Sequence, residues 1–204
     1  MATNGWICFG FCIFGGGVGT TLTTERSDKI GGIRDGKLEP GDEVAVDQYE
    51  VSKRGRRTET GGKEKEKEKF SCGTTFCDVA TGFAKCYPQI STGAFETILN
   101  KMKFEKECAE HGVQVKAYRA DNGMFSKEDF MEEIKAEGQR ITFSGVGAHH
   151  MNGVAERSMR TTITKSRTMM PHSMLRWPDQ TDVELWPFAM NHATDSNNVI
   201  PHAP

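Results

Sequence analysis

The stretch EVAVDQY, residues 43–49, decides the fold because it has the pattern of a β-strand that carries a charged group among apolar neighbours. Its side chains alternate, so Val44 and Val46 share one face of the strand. Asp47 lies in the same strand, and a carboxylate there is costly to bury unless it is paired, hydrogen-bonded or bound to a metal. We therefore expect Asp47 to have a specific role.

The sequence around this strand predicts an α/β fold, with a mixed sheet flanked by helices. A charged loop rich in Lys and Glu, residues 52–69, separates the first strand from a hairpin over 70–79 and 82–87. The remaining predicted elements are a helix over 91–110, a strand over 113–118, a helix from Ser126 capped with Asp129, a strand over 141–143, a helix from about 153 to 170 that ends before Pro171, and a last helix from 181 to about 197. Strands and helices in this order are typical of a layered α/β domain.

The length of 204 residues fits one domain of ordinary size. We expect a flexible or non-domain segment over 1–40 and the domain itself over 41–204. The glycines at 15–17 and 19 lack the Gly-Lys-Ser/Thr that a phosphate loop needs. The net charge of −2 gives no general sign of nucleic acid, yet residues 140–177 hold six basic side chains and one acidic one.

The six cysteines follow no regular spacing, so we expect reduced thiols and a protein that is not secreted. Cys72 and Cys77 lack the second pair that a zinc site requires and are predicted to be core thiols. Trp177 and Trp186 are interpreted as packing residues. No apolar run reaches the ~18–20 residues of a membrane span, so we expect no membrane partner.

Two further carboxylates occupy places similar to that of Asp47. Asp121 follows a predicted strand where the chain turns, and Glu156 lies in the first turn of a predicted helix. Hard oxygen ligands of this kind suit Mg²⁺ or Mn²⁺. Two such ions about 3.5–4 Å apart would hold the attacking and leaving oxygens of a phosphoryl displacement. Acidic residues at strand ends are also common without any metal, so the residues alone leave both interpretations open.

Several stretches of the chain resemble the integrase catalytic core of copia-type retrotransposons, in the same order. They are GDEVAVDQY (41–49), FCDVATGFAKCYP (76–88), YRADNGMF (118–125), HHMNGVAERSMRTT (149–162) and ELWPFAMNHATDSNN (184–198). Together they extend over roughly residues 40–204. Each motif is modest alone, and the shared order of all five makes the resemblance specific.

The resemblance implies a ribonuclease H-like fold in which Asp47, Asp121 and Glu156 are the catalytic acids and the ligands of two Mg²⁺ or Mn²⁺ ions. Thirty-four residues separate Asp121 from Glu156, a spacing typical of this family. The implied activity is trimming of the 3′ ends of retroelement DNA and their transfer to target DNA. The implied partners are these DNAs and further copies of the chain, and the implied location is the nucleus.

The same resemblance predicts DNA contacts at the start of the catalytic helix and along it. These predicted nucleic-acid-binding residues are His150, Asn152, Gly153, Arg157, Arg160 and Lys165. Phosphate contacts from the basic side chains would add affinity rather than sequence specificity. For His149 and His150, an exposed loop position without a role is an equal alternative to a DNA or metal contact.

Two other functions remain open at this point. One is a ribonuclease H-like nuclease that only hydrolyses nucleic acid. The other is a non-catalytic transposon relic that folds and binds DNA, which Met151 favours because the family has glutamine there. Asp78 corresponds to an acidic position outside the triad, so we do not expect it to bind metal. The chain resembles a fragment of a larger polyprotein or the relic of one.

Overall fold

A computed structural model describes residues 38–61, 63–121, 123–144 and 153–200 of the chain. Most of the segment predicted over 1–40 lies outside these residues. The strands are β1 (Val44–Gly55), β2 (Phe70–Asp78), β3 (Ala84–Gln89), β4 (Ala117–Ala120) and β5 (Arg140–Phe143). The helices are α1 (Ala94–Glu110), α2 (Glu128–Ala136), α3 (Gly153–Arg176) and α4 (Trp186–Asn198).

The five strands form one mixed sheet in the order β3-β2-β1-β4-β5. The first three strands are antiparallel neighbours, while β4 and β5 run parallel to β1. The antiparallel half needs only short connections, whereas each parallel strand follows a crossover helix. The predicted fold class, a mixed α/β sheet flanked by helices, is confirmed.

Each face of the sheet is covered by two helices. Val44 and Val46 of β1 belong to a core cluster shared with Phe104 of α1 and Phe130 of α2. On the opposite face, a second cluster joins β1 to α3 and α4; its fully or largely buried members are Tyr49, Phe70, Cys86, Met159, Ile163, Trp186 and Met190. The alternation of β1 therefore places Asp47, like Tyr49, on the face covered by α3.

Helix α1 is confirmed, but its apolar spacing does not mark the buried face. Phe95 is 72% exposed, and Leu99 and Met102 are 40% and 53% exposed. The buried positions are instead mostly polar, including Lys101, which is fully buried beside the carboxylate of Glu105 at 3.2 Å. The buried face of α1 therefore contains charged and amide side chains that are paired with other groups. A search for hydrophobic periodicity does not detect such a face.

Helix α3 continues through Pro171 to Arg176, so the predicted end at residue 170 is wrong. Pro171 cannot donate a backbone hydrogen bond, but α3 continues past it, and Pro171 lies on the exposed side of the helix. The turn that follows is closed by the Trp177 amide, which donates to the Ser173 carbonyl at 2.8 Å. The last helix consequently begins late, at Trp186, after a 3₁₀ turn over Val183–Leu185.

Strand β1 extends to Gly55, so the charged loop begins at Arg56 rather than at Ser52. Tertiary contacts cause this extension. The indole Nε1 of Trp186 donates to the Lys53 carbonyl at 3.0 Å, and a Cβ on Gly55 would lie 2.4 Å from the same Nε1 atom. A polar sequence thus becomes strand because α4 docks against it.

Two local predictions are wrong in detail. Helix α2 begins at Glu128, with Lys127 as its N-cap residue, two residues later than predicted, and the Ser126 hydroxyl donates to the Gly123 carbonyl at 2.9 Å. The strand predicted over 113–118 is found over Ala117–Ala120. Because β4 ends at Ala120, Asp121 is the first residue after this strand.

The predicted core thiols and one of the two predicted packing tryptophans are confirmed. Cys72 and Cys77 are buried and free. Trp186 is 3% exposed, whereas Trp177 is 54% exposed because the long α3 carries it beyond the core. In the described part of the chain, no helix is both long and apolar enough to cross a membrane.

Asp78 joins the hairpin to the start of β1. One carboxylate oxygen accepts from the Gly41 amide at 2.9 Å, and the other accepts from the Thr81 amide at 2.8 Å and the Thr81 hydroxyl at 2.6 Å. Gly41 has a φ of 85°, and a Cβ there would lie 2.3 Å from the Gln114 carbonyl oxygen. These three hydrogen bonds explain how an acidic residue that is 4% exposed is accommodated in the interior.

We predict that Asp78→Ala lowers the free energy of unfolding by about 2–4 kcal/mol, because three donors lose a charged acceptor. Urea unfolding measures the change. Asp179→Ala removes an exposed aspartate and is expected to change stability by less than about 0.5 kcal/mol. Equal effects of the two substitutions would contradict the role given to Asp78.

Candidate active site

The central strand β1 places Asp47 at the middle of the sheet. Asp47 lies opposite Thr75 in the ladder with β2, on the face that α3 covers. Its side chain is half-buried, and its Oδ1 accepts a hydrogen bond from the Gln48 amide at 2.9 Å. One backbone donor satisfies part of the carboxylate and leaves the other oxygen available for a ligand.

Strand β4 brings Asp121 to the other side of β1. The parallel register pairs Val44 with Tyr118 and Ala45 with Arg119. Extending this register by two residues places Asp121 beside Asp47, with both side chains on the same face. Neighbouring strands lie about 4.8 Å apart, so the two carboxylates belong to one transverse row.

Helix α3 supplies Glu156 from above the sheet. Glu156 lies in the first turn of the helix and is half-buried. Its neighbours Ala155 and Met159 are 0% and 5% exposed and pack against the sheet. The packing of Ala155 and Met159 against the sheet therefore sets the distance between the Glu156 side chain and β1.

The electrostatics of Asp47 indicate that the three carboxylates are neighbours. Burial raises the pKa of Asp47, the negative charges of Asp121 and Glu156 raise it further, and the Gln48 amide lowers it; the result is a pKa of about 7. A pKa raised in this way means that the surroundings of Asp47 disfavour its negative charge unless a cation compensates it. This is the electrostatic condition under which a divalent ion binds well.

The three side chains are not gathered around one point. Among the residues that the structure describes, no three Asp, Glu, His or Cys side chains stand close enough to hold one metal ion. Asp121 is exposed, and its Oδ1 accepts from the Gly123 amide at 3.1 Å. The donor set nevertheless fits Mg²⁺ or Mn²⁺ chemically, since all three are carboxylates, and side-chain rotation alone changes their separations.

The residues that were predicted to bind nucleic acid lie in different parts of the structure. Gly153 begins α3, and Arg157 and Arg160 are exposed beside Glu156 on the outer side of the helix. Lys165 is half-buried and lines the groove between α3 and α4. Nine residues separate it from Glu156, which is half a rotation of a helix at 100° per residue, so the structure does not bring Lys165 to the same face.

Two of the predicted contact residues, His150 and Asn152, lie outside the described residues, as does Met151. Their predicted roles stay predictions. Sequence reasoning also missed Thr75, which lies in the same row as Asp47. Only the strand register identifies Thr75, because the distance of 28 residues along the chain carries no signal.

Comparison with solved structures identifies the fold. The chain is similar to the HTLV-2 integrase catalytic core domain, solved in complex with magnesium in a dimeric form, with a TM-score of 0.52 and 17% identity over 81% of this chain and 91% of that one. The chain has the fold of an integrase catalytic core. A chain of the simian T-cell lymphotropic virus intasome, solved with the PP2A regulatory subunit B56 gamma, gives a TM-score of 0.53 and 16% identity over 85% of this chain and 59% of that one. No family model matches the sequence.

We predict that Asp47→Asn stabilises the metal-free protein at alkaline pH. Because the folded-state pKa of Asp47 is raised to about 7 from 3.8, the folded state holds a proton that the unfolded state has lost between about pH 4 and 7. Wild-type stability therefore falls across that window, and the variant avoids the loss. We expect a gain of about 1–3 kcal/mol at pH 8 after discounting for partial exposure, and almost none at pH 4.

Urea unfolding in the presence of a chelator, at pH 4, 6 and 8, measures this difference. Asp129→Asn is the matched control because Asp129 is exposed at the start of α2. A gain for Asp47→Asn that is the same at all three pH values would show that Asp47 is not crowded by neighbouring charges.

Proposed function

We propose that this chain is the catalytic core of a copia-type retrotransposon integrase, which processes DNA 3′ ends and joins them to target DNA. The observation that carries the proposal is that Asp47 lies on β1 and Asp121 follows the adjacent strand β4, with the negative charges of Asp121 and Glu156 raising the pKa of the half-buried Asp47. The integrase-core fold and the order of the five sequence motifs support it.

In this proposal Asp47, Asp121 and Glu156 hold the metal. Two bound Mg²⁺ ions would supply Lewis acidity for the attacking and leaving oxygens of a phosphodiester. The chain's own contribution is to present carboxylate oxygens from β1, from the end of β4 and from α3, while the exposed side of Asp121 admits the DNA backbone. A 3′-hydroxyl or water is then the nucleophile.

The described cysteines and tyrosines do not offer a covalent alternative. Burial raises the pKa values of Cys72, Cys77 and Cys108 to about 11, so these thiols are not ionised at neutral pH. Burial also raises the pKa of Tyr49 and that of Tyr118, whose hydroxyl donates to Glu105 at 2.5 Å. Direct attack without a protein-bound intermediate agrees with these environments.

The outer side of α3 is the proposed DNA-backbone contact. Arg157 and Arg160 flank Glu156, and the helix N-terminus at Gly153 presents backbone amides that attract phosphate. His150, Asn152 and Lys165 stay candidate contacts. The proposal includes a homo-oligomer as the active form and the nucleus as the place of action, both from the family resemblance.

A non-catalytic relic is the second candidate. Met151 in place of the family's glutamine favours it, as does the absence of a closed ligand cluster among the described residues. The raised pKa of Asp47 favours a working site, because a divalent cation would compensate the neighbouring negative charges of Asp121 and Glu156. Metal-dependent chemistry decides between the two.

We predict that the full chain transfers a labelled 3′-hydroxyl DNA donor to a target duplex in the presence of Mg²⁺ or Mn²⁺. Asp121→Asn is expected to lower this activity by roughly a hundredfold or more, since a metal ligand is lost. Asp129→Asn, a change of the same kind at an exposed site, is expected to retain activity. Gel separation of joined and cleaved products is the measurement.

The products distinguish the candidates. Hydrolysis without joining would indicate a ribonuclease H-like nuclease. If no metal-dependent product forms and calorimetry detects no Mn²⁺ binding, the result would support the non-catalytic relic. Nicking that persists unchanged in Asp121→Asn would come from a contaminating nuclease and would count against the proposal.

We also predict that Arg157→Ala and Arg160→Ala weaken binding to DNA of any sequence. Each substitution is expected to reduce the slope of log affinity against log salt concentration by about 1, because one phosphate contact is lost. Fluorescence anisotropy with a labelled duplex at several salt concentrations gives the slope. Arg176→Ala removes an exposed arginine at the far end of α3 and is expected to leave the slope unchanged.

A further inference from the structure

The stretch YRADNGMF contains an arginine that the candidate active site does not use. Arg119 lies on β4 and pairs with Ala45 of β1 in the parallel register. Because side chains alternate along a strand, Arg119 shares a face with Asp121, and Ala45 shares that face with Asp47. A side chain that stays positively charged therefore lies about 6.6 Å along the strand from the nearest candidate metal ligand.

Such a cation would compete with a divalent ion for the same carboxylates. Arginine forms bidentate ion pairs with carboxylates, so pairing with Asp47 or Asp121 would occupy the oxygens that a metal needs. The hydrogen bonds that the described part of the structure gives the two aspartates come instead from the backbone amides of Gln48 and Gly123. The guanidinium group of Arg119 is directed elsewhere.

Arg119 forms its ion pair with a carboxylate on the side away from the acids. Its Nη2 lies 2.5 Å from Oε1 of Glu43. Glu43 comes just before β1 and continues its ladder, because the Val79 amide donates to the Glu43 carbonyl at 2.9 Å. Glu43 therefore lies two residues before Ala45, as Asp47 lies two residues after it. The ion pair draws the guanidinium group toward Glu43 and away from Asp47.

The burial of Glu43 explains why Arg119 points in this direction. The Glu43 side chain is 4% exposed, whereas that of Arg119 is 25% exposed. A charged carboxylate this deeply buried requires a charged partner, and opposite charges attract more strongly where water is excluded. Glu43 therefore holds the guanidinium group more strongly than the exposed Asp121 would.

We propose that Glu43 is a positioning residue that holds Arg119 away from Asp47 and Asp121 and so keeps these carboxylates available for a divalent cation. The catalytic meaning of this inference rests on the proposed function. The retention of Arg119 by Glu43 is itself a property of the metal-free protein. A released arginine would oppose metal binding in two ways, by repelling the cation and by occupying its oxygen ligands.

The test uses substitutions that remove one or both charges of the ion pair. Glu43→Gln releases the arginine and keeps the shape of the buried side chain. Arg119→Met removes the cation, and the double variant Glu43→Gln/Arg119→Met leaves no buried charge without a partner. Calorimetry with MnCl₂ measures metal binding, and thermal unfolding shows that each variant is folded.

Asp42→Asn is the matched control for the release of a cation. It frees Lys116, whose Nζ lies 2.7 Å from Oδ1 of Asp42 in the neighbouring ion pair. Lys116 precedes Asp121 by five residues, about 16 Å of extended chain, so it does not reach the acids. We expect Asp42→Asn to retain the wild-type Mn²⁺ affinity, and a loss equal to that of Glu43→Gln would overturn the inference.

We expect Glu43→Gln to bind Mn²⁺ about tenfold more weakly than wild type, because the released arginine pairs with Asp47 or Asp121. The double variant is expected to recover the wild-type affinity to within about twofold, although it also lacks the Glu43 carboxylate. A role of Glu43 in stability alone would not give this recovery. Unchanged affinity in a folded Glu43→Gln, or no recovery in the double variant, would overturn the inference.

Arg119→Met keeps the inference testable if Glu43→Gln does not fold. We expect this variant to bind Mn²⁺ at least as tightly as wild type, because Arg119 takes no part in holding the metal. Binding that is about tenfold weaker would show that the arginine supports the metal site, and this result would contradict the role given to Glu43.

A crystal structure of metal-free Glu43→Gln separates this inference from the proposed function. We expect the guanidinium group of Arg119 to lie within ion-pairing distance of Asp47 or Asp121 in this variant. An arginine that stays beside residue 43 after the carboxylate is removed would overturn the inference. Wild-type protein that binds no Mn²⁺ would count against the proposed function alone, since the position of Arg119 in the variant still tests its retention by Glu43.

Discussion

The pairing of β1 with β4 is the constraint on which the candidate site depends. It joins the antiparallel half of the sheet to the parallel half through the register of Val44 with Tyr118 and Ala45 with Arg119. A slip of one residue would turn Asp121 to the opposite face from Asp47. Buried side chains prevent such a slip, since Val44 and Tyr118 are fully enclosed in the cluster beneath α1 and α2. The apolar side of the sheet thus sets the geometry of its charged side.

The charged side is unfavourable by itself. Two unit charges about 5 Å apart repel by roughly 3 kcal/mol at an effective dielectric constant of about 20, and burial adds to that cost for Asp47. The backbone amides of Gln48 and Gly123 offset part of it by donating to the two aspartates. Protonation of Asp47 relieves this repulsion below about pH 7, and a bound cation would relieve it above that pH. If the proposed metal site is correct, function and stability oppose each other at this point of the fold.

The sequence was informative where local chemistry and burial agree. The strand 43–49, the hairpin and the position of Asp121 after a strand all follow from alternation and turn residues, and the structure confirms them. Predictions failed where distant contacts decide. Helix α1 buries Lys101 rather than Phe95, β1 extends because Trp186 docks on it, and α3 passes Pro171 at an exposed position. The placement of Asp47 and Asp121 on neighbouring strands required the strand register, which no local pattern contains. In the sequence analysis, the family resemblance supplied this information, because the pattern of the residues alone did not.

The position of α3 shows how a polar interior replaces apolar complementarity. A helix with a wide apolar stripe is held by the apolar surface that it buries, and this interaction defines its position along its axis only loosely. Here the stripe is narrow, and neutral hydroxyls make directional bonds: the Ser166 hydroxyl donates to the Ile163 carbonyl at 2.9 Å, and the Thr162 hydroxyl accepts from the Asn197 amide group at 3.4 Å. Neutral groups also leave the electrostatics of Asp47 to its carboxylate neighbours, because they bring no counter-charge near the site. A cluster of salt bridges in the same row would lower the pKa of Asp47 and weaken the attraction for a cation. The strand register therefore places neutral side chains, Thr75 and Cys86, on one side of Asp47 and the carboxylate of Asp121 on the other.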